Sequence, residues 1–234
     1  DIRFWFRRGI ARTLITLLTV AQLVLVLPAQ LAYASPATHV VVSELQTAGV
    51  SATDEFVELY NPTAAPVDIS GWKLQYKSDT GVSYSTKLTI SAGKSIPSHG
   101  YFLLASSGYA PGTPADETSA SSFSFAAPAG HVRIGDGTVT TAISSTGVAD
   151  TVGYGATANS AEGSAPASAP ATGQSIERLP GGINGNGTDS DNNAADFVIQ
   201  TVPDPQNSSS PVQPSAPTAP ILNSATAGDG QATL

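Results

Sequence analysis

Cysteine and methionine are both absent from the 234 residues, and basic side chains are scarce: ten Lys and Arg stand against eighteen Asp and Glu, with three His. Without cysteine there is no disulfide, no thiol nucleophile, no haem attachment and no cysteine-ligated zinc. A domain of this size is expected to rest on a hydrophobic core instead. With no Met, Asp1 is expected to follow a trimmed or missing start. The few Lys and Arg are scattered and form no stripe, which argues against direct nucleic-acid binding, because that affinity rests on basic contacts to phosphate. Sustained helical periodicity is also lacking after residue 34.

What is present begins with a leader. Arg3, Arg7, Arg8 and Arg12 precede an apolar run from Thr13 to Leu27, and Ala32-Tyr33-Ala34 supplies small residues for cleavage. That order predicts a secretory signal peptide, helical, over residues 1–34. The run is about fifteen residues, short of the roughly twenty that a membrane span needs. The protein is therefore expected to be secreted or at the cell surface, with no span after cleavage. Removing four arginines and one aspartate with the leader takes the net charge from -8 to -11.

Residues Asp54 to Tyr76 organise the remainder. Phe56-Val57-Glu58-Leu59-Tyr60 favours a strand, which Asn61-Pro62 stops, since Pro62 cannot donate to a ladder. Ile69, Trp72, Leu74 and Tyr76 then face one way, predicting a half-buried strand with Trp72 as its largest inward body. Gly71 allows a bend just before the indole. Further strands are expected at His39–Gln46, Val82–Ile90, Tyr101–Ala105, His131–Ile134, Thr138–Ile143, Val148–Tyr154, Ser175–Leu179 and Asp196–Gln200, with Phe123–Phe125 beginning another. Tyr101–Ala105 is apolar almost throughout, as in a strand buried on both faces. Ser106–Ser122 reads as a long polar loop, and Ala156–Thr172 as a mobile Ala/Ser/Pro insertion. Two sheets enclosing a tryptophan predict an all-β sandwich.

Three ordered blocks carry a family resemblance. Glu55-Phe56-Val57-Glu58-Leu59-Tyr60-Asn61-Pro62 followed by Val67-Asp68-Ile69-Ser70-Gly71-Trp72-Lys73-Leu74 resembles the signature of the lamin tail domain, as does the opening Val40-Val41-Val42-Ser43-Glu44-Leu45. Ser175-Ile176-Glu177-Arg178-Leu179-Pro180, Asp189–Asn193 and Asp196-Phe197-Val198 resemble the closing strands of its bacterial form, and Val148–Tyr154 fits the pattern that precedes them. The resemblance implies an immunoglobulin-like β-sandwich over residues 35–207, without known catalytic residues. A Ser/Pro-rich linker is expected over 208–218. Residues 219–234 resemble the first strand and turn of a fibronectin type III domain.

Among candidate sites, one cluster has chemical interest. Asp189, Asp191 and Asn193 alternate as in the first half of an oxygen-ligand calcium loop. The glycine expected at the sixth position and the glutamate at the twelfth are missing. Asp and Asn also form turns by bonding their own backbone, which is the competing reading. No other cofactor is expected. His39, His99 and His131 stand apart and read as surface or strand-end residues. Glu55 and Glu58 face opposite sides of a strand and cannot form an acid/base pair; Glu58 is expected to hold a loop. Tyr101, Phe102, Phe123 and Phe125 read as core. Asn186-Gly187-Thr188 matches a glycosylation acceptor.

The functional expectation is a non-catalytic binding or positioning module of an exported, modular protein, contacting another protein or an envelope polymer. Bacterial lamin tail domains are often attached to secreted nucleases and phosphoesterases, so the alternatives are an accessory domain of such a hydrolase and a structural spacer in an adhesin.

Overall fold

The structure is a computed structural model that describes residues 36–213 apart from 111, 164 and 183–185, together with 226–227 and 232–233. The expected signal peptide and nearly all of the fibronectin-like stretch lie outside the described residues. Twelve strands lie in the described main stretch. They are β1 (Val41–Gln46), β2 (Phe56–Tyr60), β3 (Val67–Asp68), β4 (Lys73–Ser78), β5 (Ser85–Thr89), β6 (Ser95–Ile96), β7 (Tyr101–Ala105), β8 (Glu117–Thr118), β9 (Gly130–Gly135), β10 (Val148–Tyr154), β11 (Ser175–Arg178) and β12 (Phe197–Gln200). A helical turn at Asn193–Asp196 precedes β12, and β13 (Thr226–Ala227) pairs with β14 (Ala232–Thr233). Among the described residues no helix is long and apolar enough to cross a membrane.

The strands form a six-stranded sheet, ordered β12-β11-β1-β2-β7-β8, and a four-stranded sheet, ordered β10-β9-β4-β5. The alternation of each strand decides what lies between them. Val42, Leu45, Val57, Leu59, Phe102, Leu104 and Ile176 from the larger sheet meet Leu74, Leu88, Val132, Ile134, Val152 and Tyr154 from the smaller. This is the predicted sandwich.

The far face of the larger sheet is buried as well. Val41, Tyr60 and Tyr101 form a second apolar cluster there. The segment from Val202 to Gln213 runs over this face as a strap. Gln206 N–H donates to Glu58, Asn207 Nδ2 donates to Pro114 O at 2.7 Å, and Gln213 N–H donates to His99 O at 2.8 Å. The strap explains why β1, β2 and β7 are buried at every position. Ser208–Gln213, read from composition as linker, is thus bonded to the sandwich.

Several expectations need correction. Trp72 is only partly buried and packs at the rim of the core. Its N–H bonds Ile69 O at 3.1 Å, and Gly71 sits at φ +75°, so Ile69–Trp72 is a turn and the strand starts at Lys73. Thr138–Ile143 forms no strand, because Arg133 draws the carbonyls of Thr140, Ala142 and Ile143 to its guanidinium. Phe123 and Phe125 stack in the core at 5.1 Å without forming a strand. Ser124 between them has φ +54°, and Glu55 accepts the N–H groups of Ser124 and Phe125. The Ser106–Ser122 loop contains β8, paired in parallel with β7. Ala156–Thr172 packs onto β10, burying Ala158 and Ala167.

Gly155 ends β10 at φ +79°, where an added Cβ would collide with Pro128 O and Ala129 Cα. Both the conformation and the backbone contact exclude a side chain. Gly155→Ala is expected to cost roughly 2–4 kcal/mol in urea unfolding.

Candidate functional site

The largest fully buried side chains are arginines, not aromatics, and one of them joins the two sheets. In β11 the alternation turns Ile176 and Arg178 towards the other sheet and Ser175 and Glu177 towards the strap. Arg178 Nη2 meets Asp150 Oδ2 of β10 at 2.7 Å, and Nη1 lies 3.3 Å from Asp189 Oδ1 and 3.7 Å from Asp196 Oδ2. The guanidinium also lies 4.6 Å from the Phe197 ring centroid. The β1–β11 register covers Glu44↔Glu177 and Leu45↔Ile176. Beyond it, Val42 N–H goes to Asp150 Oδ2 at 2.7 Å and Val42 O accepts from Arg178 Nε at 2.8 Å. The ion pair thus completes β1 where the ladder stops. Burial pushes the Asp150 carboxyl up, against the pull of Arg178 and the Val42 N–H.

The predicted calcium ligands lie around this cluster but do not converge. Asp189 bonds Arg178 and receives His39 Nε2 at 3.3 Å on its other oxygen, which with burial opposing holds its pKa down at about 2. Asp191 N–H donates to Asp189 Oδ1 at 3.3 Å, the bond of an Asx-turn, and Asp191 itself has φ +52°. Asn193 is buried and points elsewhere. Its Oδ1 accepts from Gly153 and Glu162 N–H groups, and its Nδ2 donates to Thr151 O and Glu162. Asp196 caps the same loop by accepting from Ser190 and Asn192. Among the described residues no group of three His, Cys, Asp or Glu stands where a metal ion could be held.

His39, partly exposed just ahead of β1, fits the surface or strand-end reading, whereas His131 departs from the surface one. His39 is drawn to Asp189, which raises its pKa. His131 is fully buried in β9, where burial and nearby Lys77 push it down to about 4 and its Nε2 accepts the Ser160 N–H. Asn186, the glycosylation-type asparagine, is buried with Nδ2 on Glu177 Oε1 at 3.2 Å.

Beneath the strap lies a feature that the sequence reading missed. Glu44 pairs in register with Glu177 on one side and Glu58 on the other, so three buried carboxyls stand in a row across β11, β1 and β2. None of them enters an ion pair among the described residues. Glu44 accepts the Ser175 hydroxyl, Glu58 accepts Ser43 and Gln206, and Glu177 accepts Gly182, Asn186 and Gln200. Two charges about 5 Å apart repel by about 3 kcal/mol at an effective dielectric of about 20. Burial raises all three, Glu44 to about 8 and Glu58 well above its ordinary value. The available signal was a glutamate inside each of three strands, two of them largely apolar. Glu58 does hold a loop, as expected.

An open cleft of about 370 Å³ lies at one end of the sandwich. Val50 from the β1–β2 loop, Tyr109 after β7, and Pro203, Asp204 and Pro205 of the strap wall it. Val50 is 92% exposed. Tyr109 meets Phe56 edge-on at 5.8 Å, and Asp54 ties the two loops by accepting Val50 and Ala110 N–H groups at 2.8 Å. A smaller cleft, about 230 Å³, is lined by Tyr84, Arg133, Ser160 and Glu162. There the Arg133 guanidinium stacks 3.6 Å from the Tyr84 centroid.

Arg178→Met should lower stability by about 3–5 kcal/mol in denaturant unfolding, because Asp150 is then buried without its cation, and Arg178→Met/Asp150→Leu should recover part of the loss. Calcium coordination is checked by melting with millimolar calcium and with chelator. Asp189 and Asn193 already have partners, so the expected Tm is the same in both; a rise with calcium would restore them as ligands.

Known proteins offer three comparisons. A crystal structure of a DUF4876 family protein from Bacteroides thetaiotaomicron is similar at 15% identity and a TM-score of 0.46, over 71% of this chain and 72% of that one. No curated protein matches the sequence. The sequence model of the Lamin Tail Domain family matches residues 33–156, through the end of β10, while β11 and β12 complete the same large sheet. That match spans more than half of the 234 residues, and the chain belongs to the lamin tail domain family.

Proposed function

We propose that this chain is an exported, non-catalytic binding and positioning module of a larger modular protein, and that it holds another protein or an envelope polymer at the cleft beside Tyr109. The observation that carries this reading is the cleft itself. Loops from three separate connections converge there on a rigid sandwich, with Val50, Tyr109 and two prolines presented to solvent. Of the carboxyls that burial pushes well up, Glu44 and Glu58 are sealed under the strap, while Glu162, raised to about 8, lines the smaller cleft, where the Asn193 amide donates to it. Family membership supports a module without chemistry of its own. The arginine-led apolar leader supports export, and the acidic surface disfavours nucleic acid as partner.

Pull-down with the whole protein on cell-wall polymers, chitin-like glycans, envelope protein extract and DNA tests the reading. Binding to one of the first three, weakened about tenfold or more by Val50→Ser with Tyr109→Ala, is the expected result, since central aromatic contacts dominate such surfaces. Failure on every arm leaves only a spacer, and turnover of a phosphodiester by the protein alone would replace the binder with an enzyme.

A further inference from the structure

The strap over the larger sheet is held above three carboxyls that cannot all carry charge. Glu58, Glu44 and Glu177 face one another in strand register, and Asp204, on the strap itself, adds a fourth acidic side chain beside Glu44 and Glu177. The other titratable groups around them are phenols: Tyr101 from β7 near Glu58, Tyr60 from β2, and Tyr109 at the cleft. β12 contributes the neutral Gln200 amide, and the 179–188 loop contributes Gly182 N–H and Asn186.

We propose that the Val202–Gln213 strap is a proton-held latch, closed while the Glu58–Glu44–Glu177 row keeps its protons and released when a second member ionises. One charge is tolerable. Glu177 is the least enclosed of the three, and the Gly182 N–H and the Asn186 and Gln200 amides converge on it and can hold it there. A second charge, on Glu44, has the Ser175 hydroxyl and the Asp204 backbone N–H, but it loses its water and faces a glutamate on either side and the Asp204 carboxylate above. The repulsion is relieved by lifting the strap, which admits water and carries Asp204 away. The remaining ties of the strap to the body are Asn207 to Pro114, Ser208 to Asp116 and Gln213 to His99. The body beneath is held independently by the core and by Arg178, so the strap is the part free to move.

The direction follows from linkage. A carboxyl whose folded value lies above its unfolded one favours the closed state fully below the ordinary value of 4.5, and that contribution is lost as pH rises towards about 8 for Glu44. Closure is thus strongest in acid and weakest in alkali. Because Pro203, Asp204 and Pro205 form one wall of the end cleft, release also takes that wall away. The latch does not depend on what the cleft binds.

Hydrogen exchange of the intact protein tests it, following peptide 202–213 against peptide 56–60 at about pH 6 and about pH 9, each corrected for the intrinsic rate. The strap peptide should lose up to about a hundredfold in protection at the higher pH, about one factor of ten for each pH unit between pH 6 and the Glu44 value of about 8, beyond which the loss levels off, while the β2 peptide stays protected. Glu44→Gln should remove most of that loss, and Glu177→Gln serves if the first variant does not fold. No alkaline loss, an equal loss in the folded glutamine variant, or a loss shared by peptide 56–60 would overturn the latch.

Discussion

A guanidinium withdrawn from water needs acceptors for its donors, and Arg178 finds four of them by drawing three parts of the protein onto β11. Its Nε takes Val42 O of β1, Nη2 takes Asp150 of β10, and Nη1 takes Thr188 O and Asp189 of the loop before β12. Asp150 lies in the smaller sheet and Arg178 in the larger, so the two sheets are joined by charge as well as by apolar contact. Asp189 then brings in His39, just ahead of β1. A core of Val, Leu and Ile fixes that the sheets face one another; this cluster fixes how far each strand may slide, because any slip leaves a buried charge unpaired.

Strand β11 shows how one alternation produces two opposite electrostatic settings. Arg178 points to one side, where acidic partners compensate it. Glu177, one residue earlier, points to the other, where it meets Glu44 and no cation among the described residues. In the first setting Arg178 pulls its acidic partners towards the charged form: Asp189, bonded by His39 as well, is held low, while burial outweighs the pull at Asp150. The second is tolerated because protons neutralise it and because hydroxyl, amide and backbone donors fill the carboxyl oxygens. Both settings exist only because each face of the larger sheet is covered, one by the smaller sheet and the other by the strap.

Local pattern made much of this legible. The alternation in β2 and β11 sets which residues share a face, whereas a register shift after Val42 in β1 puts Val42 and Leu45 on one side, and Asn61-Pro62 marked a corner where Asn61 Nδ2 bonds Ala65, Ile96 and Pro97 carbonyls. Tyr101–Ala105 read as doubly buried, which already required a layer outside the larger sheet. What supplies that layer was hidden, since Val202–Gln213 has neither periodicity nor bulk and composition alone assigned its Ser/Pro portion to a linker. The same limit explains Thr138–Ile143, whose alternation is genuine but whose carbonyls are captured by an arginine in β9. It explains Trp72: a bend at Gly71 was legible, but not that it carries the indole to the rim of the core. Asp189 and Asn193 carried the residue types of a calcium loop, but their partners lie on Arg178, His39 and β10, and sequence spacing holds no record of such distant contacts.

The strap also decides how binding and tethering are related. The strap is the exit segment of the sandwich, and up to Gln213 it crosses the sheet face and forms a wall of the cleft. A ligand held between Tyr109 and Pro203–Pro205 therefore touches the body and the exit segment at once. It would favour the closed strap by its differential affinity for the arrangement in which both walls are present. By reciprocity, whatever displaces the strap weakens the ligand by the same factor. Position of the outgoing segment and occupancy of the cleft are then two readings of a single equilibrium, set by whether Val202–Gln213 lies on the glutamate row.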